Sequence, residues 1–359
     1  MNIAVVYNRR REGIISSFGT PSPEKYGKRA IARVVDALTG AGHAVALLEG
    51  DKALLSALQE FAPPDRDSGE PTALALNLAY GIQGEARYTH VPAMLELAGV
   101  PYTGASPLGH AVSLDKAVAK QVLEANGIPT PAFALMDGPG DPPAPLEYPL
   151  IVKPRRESTS YGLALVRDRA ELDSAIATIV ERYDQAALVE EYIDGREVCV
   201  ALLGNDPPEV LPIVELAFDR PLRLMTWDDK YHRSEHEPRK VCPALLDRAL
   251  REAVQEVSVQ TFEACHARDY ARVDIRIDRD GRPWVLEINS MASLGTGGSY
   301  VRAAEAAGHT FEGLVNRIVD EACERYGSRW RRGRVTSSPP QFGQRPDISW
   351  VQSAQKVHS

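Results

Sequence analysis

The feature that most constrains this chain is the alternation of strand and helix signals over its first hundred residues. Apolar runs at Ile3–Tyr7, Ala44–Leu48 and Leu74–Leu78 alternate with helical periodicity at Lys25–Thr39, Lys52–Glu60 and Val91–Leu97. Strands separated by helices pair in parallel, because a parallel return needs a crossover long enough to hold a helix. The expectation is a doubly wound α/β layer. Gly40 and Gly42 end its first helix, and Gly99 ends the last before the extended Val100-Pro101.

Downstream the pattern changes. A helix is expected over Leu114–Ala125, closed by Asn126-Gly127, and the Pro- and Gly-rich stretch Asp137–Pro149 reads as a loop. Short strands follow at Leu150–Lys153, Leu163–Val166, Ala187–Tyr192 and Glu197–Leu203, with a helix at Arg169–Tyr183, which is antiparallel in character. A third region runs from a strand at Glu209–Leu216 through polar Asp219–Lys240 to a long helix at Leu245–Ala267. Two strands, Ala271–Ile277 and Pro283–Ile288, are then joined by Asp278-Arg-Asp-Gly281, a hairpin signal, and a last helix spans Thr310–Tyr326. Beyond Arg329 the apolar period is lost, and 329–359 reads as a disordered tail. The chain of 359 residues thus divides into an N-terminal domain (1–112), a central unit (113–205) and a C-terminal unit (206–328).

Composition excludes several functions. A net charge of −8 lacks the overall electrostatic footprint of a nucleic-acid binder. No apolar run reaches the roughly 20 residues a spanning helix needs. Met1–Tyr7 enters a strand with no leader-like segment, so a cytoplasmic location is expected. Cys199, Cys242, Cys265 and Cys323 are too dispersed for a Cys-x-x-Cys site and read as free thiols. Neither a Walker-type P-loop nor a Gly-x-Gly-x-x-Gly fingerprint is present, so the first layer alone implies no nucleotide.

The chemistry concentrates late in the chain. Arg272 and Asp274 share one face of a strand, and Glu287 and Asn289 share one face of its hairpin partner. Two carboxylates and an amide oxygen are hard ligands suited to Mg²⁺, and Arg272 suits a developing oxyanion. The same residues also suit a cross-strand salt bridge on a solvated face, and periodicity does not choose between them. Lys153 ends an apolar strand before the hydroxyl-rich Ser158-Thr159-Ser160, whose hydroxyls and amides suit phosphate oxygens. Glu190, at a strand edge, suits an adenine amino group, and Glu197 suits ribose hydroxyls. His232 and His236, and the run Arg9–Arg11, read as solvated loops.

In order, these residues resemble the ATP-grasp ligases, and within them the D-alanine–D-alanine ligases. The resemblance runs from about residue 20 to 325 through Asn77–Glu85, Val100–Gly104, Leu114-Asp115-Lys116, Lys153-Pro154, Glu190–Glu197, Lys230-Tyr231, Arg272-Val-Asp274 and Glu287-Ile-Asn289. It implies a three-domain ATP-grasp α/β (α+β) fold with a parallel-sheet N-terminal domain. It implies ATP phosphates on Lys116 and Lys153, and adenine and ribose beside Glu190, Tyr192 and Glu197. Two Mg²⁺ ions, or Mn²⁺, would sit on Asp274, Glu287 and Asn289. Thr159 and Ser160 would cover the phosphates, Lys230 and Tyr231 would belong to a closing loop, Arg272 would hold the tetrahedral oxyanion, and Glu24, with Glu12 as the alternative, would hold a substrate ammonium. The implied reaction joins small amino-acid substrates through an acyl phosphate, with a homodimer as a candidate assembly.

Departures from the family pattern are specific. Tyr80 replaces the usual histidine, Ala86 and Arg87 replace an acidic residue and a glycine, and Glu157–Gly162 reads Glu-Ser-Thr-Ser-Tyr-Gly. After Asn289 the family's Thr-x-Pro-Gly-Met-Thr and acceptor-gripping serine–leucine pair give way to Ser290-Met-Ala-Ser-Leu-Gly-Thr-Gly-Gly-Ser-Tyr300. The expectation is therefore a specialised dipeptide or natural-product ligase. The alternatives are a genuine D-alanine–D-alanine ligase and a catalytically silent nucleotide-binding regulator.

Overall fold

The computed structural model describes residues 1–8, 24, 26–141, 146–158, 160, 162–219 and 238–327. The candidates Thr159, Lys230, Tyr231, Arg9–Arg11, Glu12, His232 and His236, and the tail 329–359, lie outside the described residues.

The N-terminal layer is parallel, as its alternation requires. Strand β1 (Asn2–Tyr7) lies between β2 (Ala44–Glu49) and β3 (Ala73–Leu78). Successive β1 side chains enter opposite cores. Ile3 and Val5 pack toward α1 (Lys28–Gly40), whereas Ala4 and Val6 pack toward α2 (Leu54–Phe61) and α3 (His90–Leu97). The helix read over Leu114–Ala125 is present from Lys116, and a separate short helix precedes it. Ser106 caps α4 (Pro107–Leu114), and Asp115 caps α5 (Lys116–Ala125) by accepting from Ala117 N and Val118 N, both at 3.2 Å. The extended backbone of Asp115 breaks the run, so a cap residue inside an apolar stretch hid a boundary.

A four-stranded antiparallel sheet comes next, in the order β4 (Phe133–Met136), β7 (Ala187–Glu191), β5 (Leu150–Pro154), β6 (Ala164–Val166). Helix α6 (Arg169–Tyr183) covers one face through Leu172, Ile176 and Ile179, leaving the other to face a cleft. Strand β8 (Gly195–Leu203), adjacent in sequence to this sheet, is hydrogen-bonded instead into the third. That sheet contains β9 (Glu209–Val210), β10 (Val214–Ala217), β11 (Arg239–Val241), β12 (Tyr270–Asp278) and β13 (Pro283–Asn289), with β8 between β10 and β12. The strand expected over Glu209–Leu216 is split into β9 and β10, which pair with β8 at separate places.

The third sheet sets the site by alternation. Ala271, Val273, Ile275 and Ile277 enter a core with Val254, Val257 and Phe262 of α7 (Arg248–Ala264). Arg272, Asp274 and Arg276 therefore face the other way. Helices α8 (Ser299–Ala306) and α9 (Phe311–Arg325) close the fold, and their apolar faces join those of α1 and the parallel sheet in one core. Neither β4 nor α8 is evident in the sequence pattern, since each is short and adds few periodic residues.

Candidate active site

A cleft enclosing about 780 Å³, open solvent included, lies between the two antiparallel sheets. Lys116, Lys153, Ser160, Glu190, Tyr192, Glu197, Asp274 and Glu287 all line it. Residues singled out in the sequence, drawn from five strands, a helix start and two loops, thus converge on one space.

The floor is ionic. Lys153 ends β5 and donates to Glu190 Oε1 at 2.5 Å, while Lys120 Nζ lies 2.9 Å from Glu190 Oε2. Burial alone would push the Glu190 carboxyl up, but Lys120 and Lys153 together hold it below the usual carboxylate range. Lys116, the first residue of α5, donates to the Glu157 carbonyl and lies 3.3 Å from Glu287 Oε2. The Asp115 cap is itself gripped by Arg155 Nε at 2.8 Å and Arg156 Nε at 3.1 Å, which ties the start of α5 to the loop after β5.

The carboxylate wall arises from strand register. Asp274 lies opposite Glu287 and Arg272 opposite Asn289. A shift in register after Asp274 lets Ile275 pair with Val285, so Leu286 and Glu287 both reach the cleft while Val285 and Ile288 stay in the core. Arg272 forms a two-pronged ion pair with Asp274 at 2.7 and 2.6 Å, and Asn289 Nδ2 donates to Asp274 Oδ2 at 3.1 Å. Burial works against the Arg272 charge, but Asp274 and Glu287 hold its pKa above the ordinary arginine value. The salt-bridge and metal-ligand readings of this face thus use the same atoms. Among the described residues, no three His, Cys, Asp or Glu side chains converge to hold a metal, so a third protein donor on this face would be the Asn289 amide oxygen. Two carboxylates and one amide oxygen on a single face fit a hard divalent cation.

Three contributors have no site role in the sequence pattern. Arg276, two residues beyond Asp274, is 3% exposed and donates to Glu197 Oε2 at 3.0 Å, to the Gly195 carbonyl at 3.3 Å and to the Tyr192 hydroxyl at 3.4 Å. The period that selects Arg272 and Asp274 also selects Arg276. A side chain at Gly195 would meet the Ile277 carbonyl oxygen at 1.8 Å, so only glycine lets β8 start this close to β12. Arg87 replaces a family glycine and reaches across to the loop after β5, donating to the Arg156 carbonyl at 3.0 Å and to Glu157 Oε2 at 3.2 Å. Gly81, at φ +74°, makes room for it, because a Cβ there would lie 2.0 Å from the Arg87 carbonyl oxygen. The third, Lys120, has no distinguishing motif.

Glu24 is not among the residues lining the cleft, but it accepts a hydrogen bond from the Tyr88 hydroxyl, which also bonds the cleft residue Ser158. Tyr26 and Tyr80 stack beside it, with centroids 5.6 Å apart and planes 9° from parallel, and Tyr80 also packs against Tyr88. The Tyr26 hydroxyl accepts from Leu294 N at 3.1 Å, and Arg33 of α1 donates to Thr296 Oγ1 at 2.6 Å. The loop after Asn289 is thereby fastened to the N-terminal layer. Thr159, Lys230 and Tyr231 lie outside the described residues.

Two antiparallel sheets closing on a cleft of lysines and carboxylates, behind a parallel-sheet domain, define the ATP-grasp class. Residues 122–320 match the family described as D-ala D-ala ligase C-terminus. An uncharacterized protein of Sinorhizobium fredii (strain NBRC 101917 / NGR234), y4sG, is 49% identical over 334 residues, covering 91% of this chain and 98% of its own length. A D-alanine–D-alanine ligase of Carboxydothermus hydrogenoformans is 31% identical over 314 residues, covering 84% of this chain and 95% of its own. A crystal structure of D-alanine–D-alanine ligase from Bacillus anthracis, complexed with ATP, matches with a TM-score of 0.70 at 25% identity, covering 90% of this chain and 97% of that one. The chain belongs to the D-alanine–D-alanine ligase family and is an ADP-forming ligase of that type. No helix among the described residues is long and apolar enough to cross a membrane.

Proposed function

We propose that the protein joins an amino-acid carboxylate to an amine using ATP, and that it is a specialised dipeptide or natural-product ligase. In this reading the substrate carboxylate attacks the γ-phosphate to give an acyl phosphate and ADP, and the amine then displaces phosphate to form the amide. Lys116 and Lys153 offset phosphate charge, Glu190 and Tyr192 flank adenine, and Glu197 accepts from ribose. Arg272 offsets the oxyanion of the second step, and Glu24 holds the donor's ammonium. Ser160 with Thr159 covers the phosphates, and Lys230 and Tyr231 close the site. Asp274, Glu287 and Asn289 would hold two Mg²⁺ ions, or Mn²⁺, which when bound supply positive charge to the transferred phosphoryl oxygens. The work divides among an N-terminal unit at 1–112 that presents Glu24, a central unit at 113–205 and a C-terminal unit at 206–328. ATP as a substrate favours a cytoplasmic setting, and a homodimer is the assembly to test by light scattering.

The observation that carries the specialised reading is the loop after Asn289. It lacks the family's acceptor-gripping sequence, buries Met291, Ala292 and Leu294, and is fastened by Tyr26 and Arg33. The second reading, a genuine D-alanine–D-alanine ligase, is favoured by the names of the relatives. A mass-spectrometric screen of all D- and L-amino-acid pairs with ATP and Mg²⁺ separates the two. Products from pairs other than two D-alanines are expected, and product from paired D-alanine alone would reverse the order. Glu287→Gln should lower amino-acid-dependent ADP release at least about a hundredfold, as loss of an electrostatic contributor at the reacting centre does. ADP release that needs no amino acid and survives this substitution would remove the ligase roles assigned to the cleft.

A further inference from the structure

Lys120 takes no part in the reaction just described, yet it is among the most deeply buried charges in the molecule, 1% exposed. It lies one helical turn after Lys116, so the two share a face of α5. Its ammonium donates to Thr130 Oγ1 at 2.7 Å and to the Pro131 carbonyl at 3.3 Å, and lies 2.9 Å from Glu190 Oε2. Glu190 passes the contact on, because its other oxygen accepts from Lys153 at 2.5 Å. On the opposite side, Thr130 Oγ1 donates to the Val285 carbonyl at 2.8 Å, and Val285 N donates to the Pro129 carbonyl at 2.8 Å. Val285 lies two residues before Glu287, beside the register shift that turns Glu287 into the cleft. A continuous buried chain therefore runs Lys153, Glu190, Lys120, Thr130, Val285, from the phosphate-side lysine to the carboxylate strand.

The charges matter as much as the path. Two lysines share one carboxylate, so the trio Lys120, Lys153 and Glu190 itself carries one net positive charge in a poorly solvated place, offset only in part by the exposed Glu124. Burying it is unfavourable unless something compensates, and an apolar residue of the same length would fill the space without that cost. An anionic ligand in the cleft supplies the compensation.

We propose that Lys120 is a positioning residue of the nucleotide site: it pins Glu190 against Lys153, fixing that ammonium at the floor of the cleft, and ties it through Thr130 to the strand carrying Glu287. This rests on the nucleotide reading of the cleft. The groups facing Lys120 are Glu190 from β7, Lys153 from β5 and Glu124 from its own helix; burial, opposed by Glu190, pushes the ammonium down to about 8. Raising the pH through that value removes the proton and, with it, half of the grip on Glu190.

The test is calorimetric titration of the full chain with ATP and Mg²⁺, without amino acids, from pH 7 to 9.5. Wild-type affinity should be level below pH 8 and weaken above it. Lys120→Met should bind about tenfold or more weakly at pH 7 and lose this pH dependence, with a circular dichroism spectrum like that of the wild type. Wild-type affinity in Lys120→Met, or weakened binding that keeps the wild-type pH profile, would overturn the proposal. Should Lys120→Met fail to fold, Thr130→Val decides, since it keeps every charge and removes only the bridging hydroxyl. A few-fold loss of affinity is then expected, and no change would overturn the proposal. A wild-type protein that binds no ATP would sink the nucleotide reading and the proposal together, whereas failure of the variants alone sinks only the proposal.

Discussion

His110 shows how a single buried residue reports on the site. It is 1% exposed, shares a 2.8 Å hydrogen bond with Ser290 Oγ, and burial pushes its pKa down to about 4. The unfolded chain would bind the proton at its ordinary value near 6.5, so between pH 6.5 and 4 the unfolded state holds more protons than the folded one. Stability should therefore fall as the pH drops through that window, by about 3 kcal/mol at pH 4 from this group alone. Urea unfolding of wild type and His110→Gln at pH 7 and pH 4.5 checks it, and equal acid losses in the two proteins would refute the assignment. Other residues are legible without coordinates. Asp274, Glu287 and Asn289 stand out because a two-residue period fixes which side chains share a face. Arg276 obeys the same period, but no motif contains it. Lys120 and Arg87 could not be found that way, since an isolated lysine or arginine carries no record of the distant carboxylate it will meet.

At the scale of elements, local pattern sets the order of strands and helices but not their pairing. Strand β8 comes after the central sheet in sequence and joins the third in space, because its alternate residues Val198, Val200 and Leu202 match the core beneath β12. The register shift between β12 and β13 is equally invisible in composition, yet it decides that Leu286 and Glu287 both face the cleft. The loop after Asn289 differs from the family in sequence, and the structure adds what holds it. Its link to the N-terminal layer through Tyr26 yields a direct prediction. Tyr26→Phe keeps the stacked ring and removes the hydroxyl that accepts from Leu294 N, a bond worth about 1 kcal/mol. Amide exchange in 290–298 should accelerate about fivefold, as that free energy implies, while the rest of the C-terminal unit is unchanged. Unaltered exchange at Leu294 would show that other contacts hold the loop.

At the scale of the whole molecule, the N-terminal layer meets the C-terminal unit on Asp269, which is fully buried at the entrance to β12. Its carboxylate accepts from Gly104 N at 2.8 Å, from Asn205 Nδ2 at 3.1 Å and from Arg325 at 2.9 and 2.8 Å; Arg325 also donates to the Tyr102 carbonyl at 2.8 Å. The parallel-sheet layer, the turn after β8 and the end of α9 thus meet on one side chain, three residues before Arg272. Asp269→Ala would leave Arg325 paired with no carboxylate there, and should cost about 3–5 kcal/mol, measured by equilibrium unfolding. A loss under about 1 kcal/mol would show that water replaces the carboxylate at little cost.

The sequence by itself determined the parallel first layer, the antiparallel character of the two later units, the carboxylate face of β12 and β13, and the ordered motifs that identify the family. These depend on spacings of a few residues, which backbone geometry converts into faces and crossovers. Only the tertiary structure decided which sheet β8 joins, that Arg87 pairs with Glu157 and Arg276 with Glu197, and that Lys120 links both sides of the cleft floor. Those outcomes depend on ion pairs and close packing between residues remote in the chain, and desolvation makes such a pair strong or costly only once folding has removed the water around it.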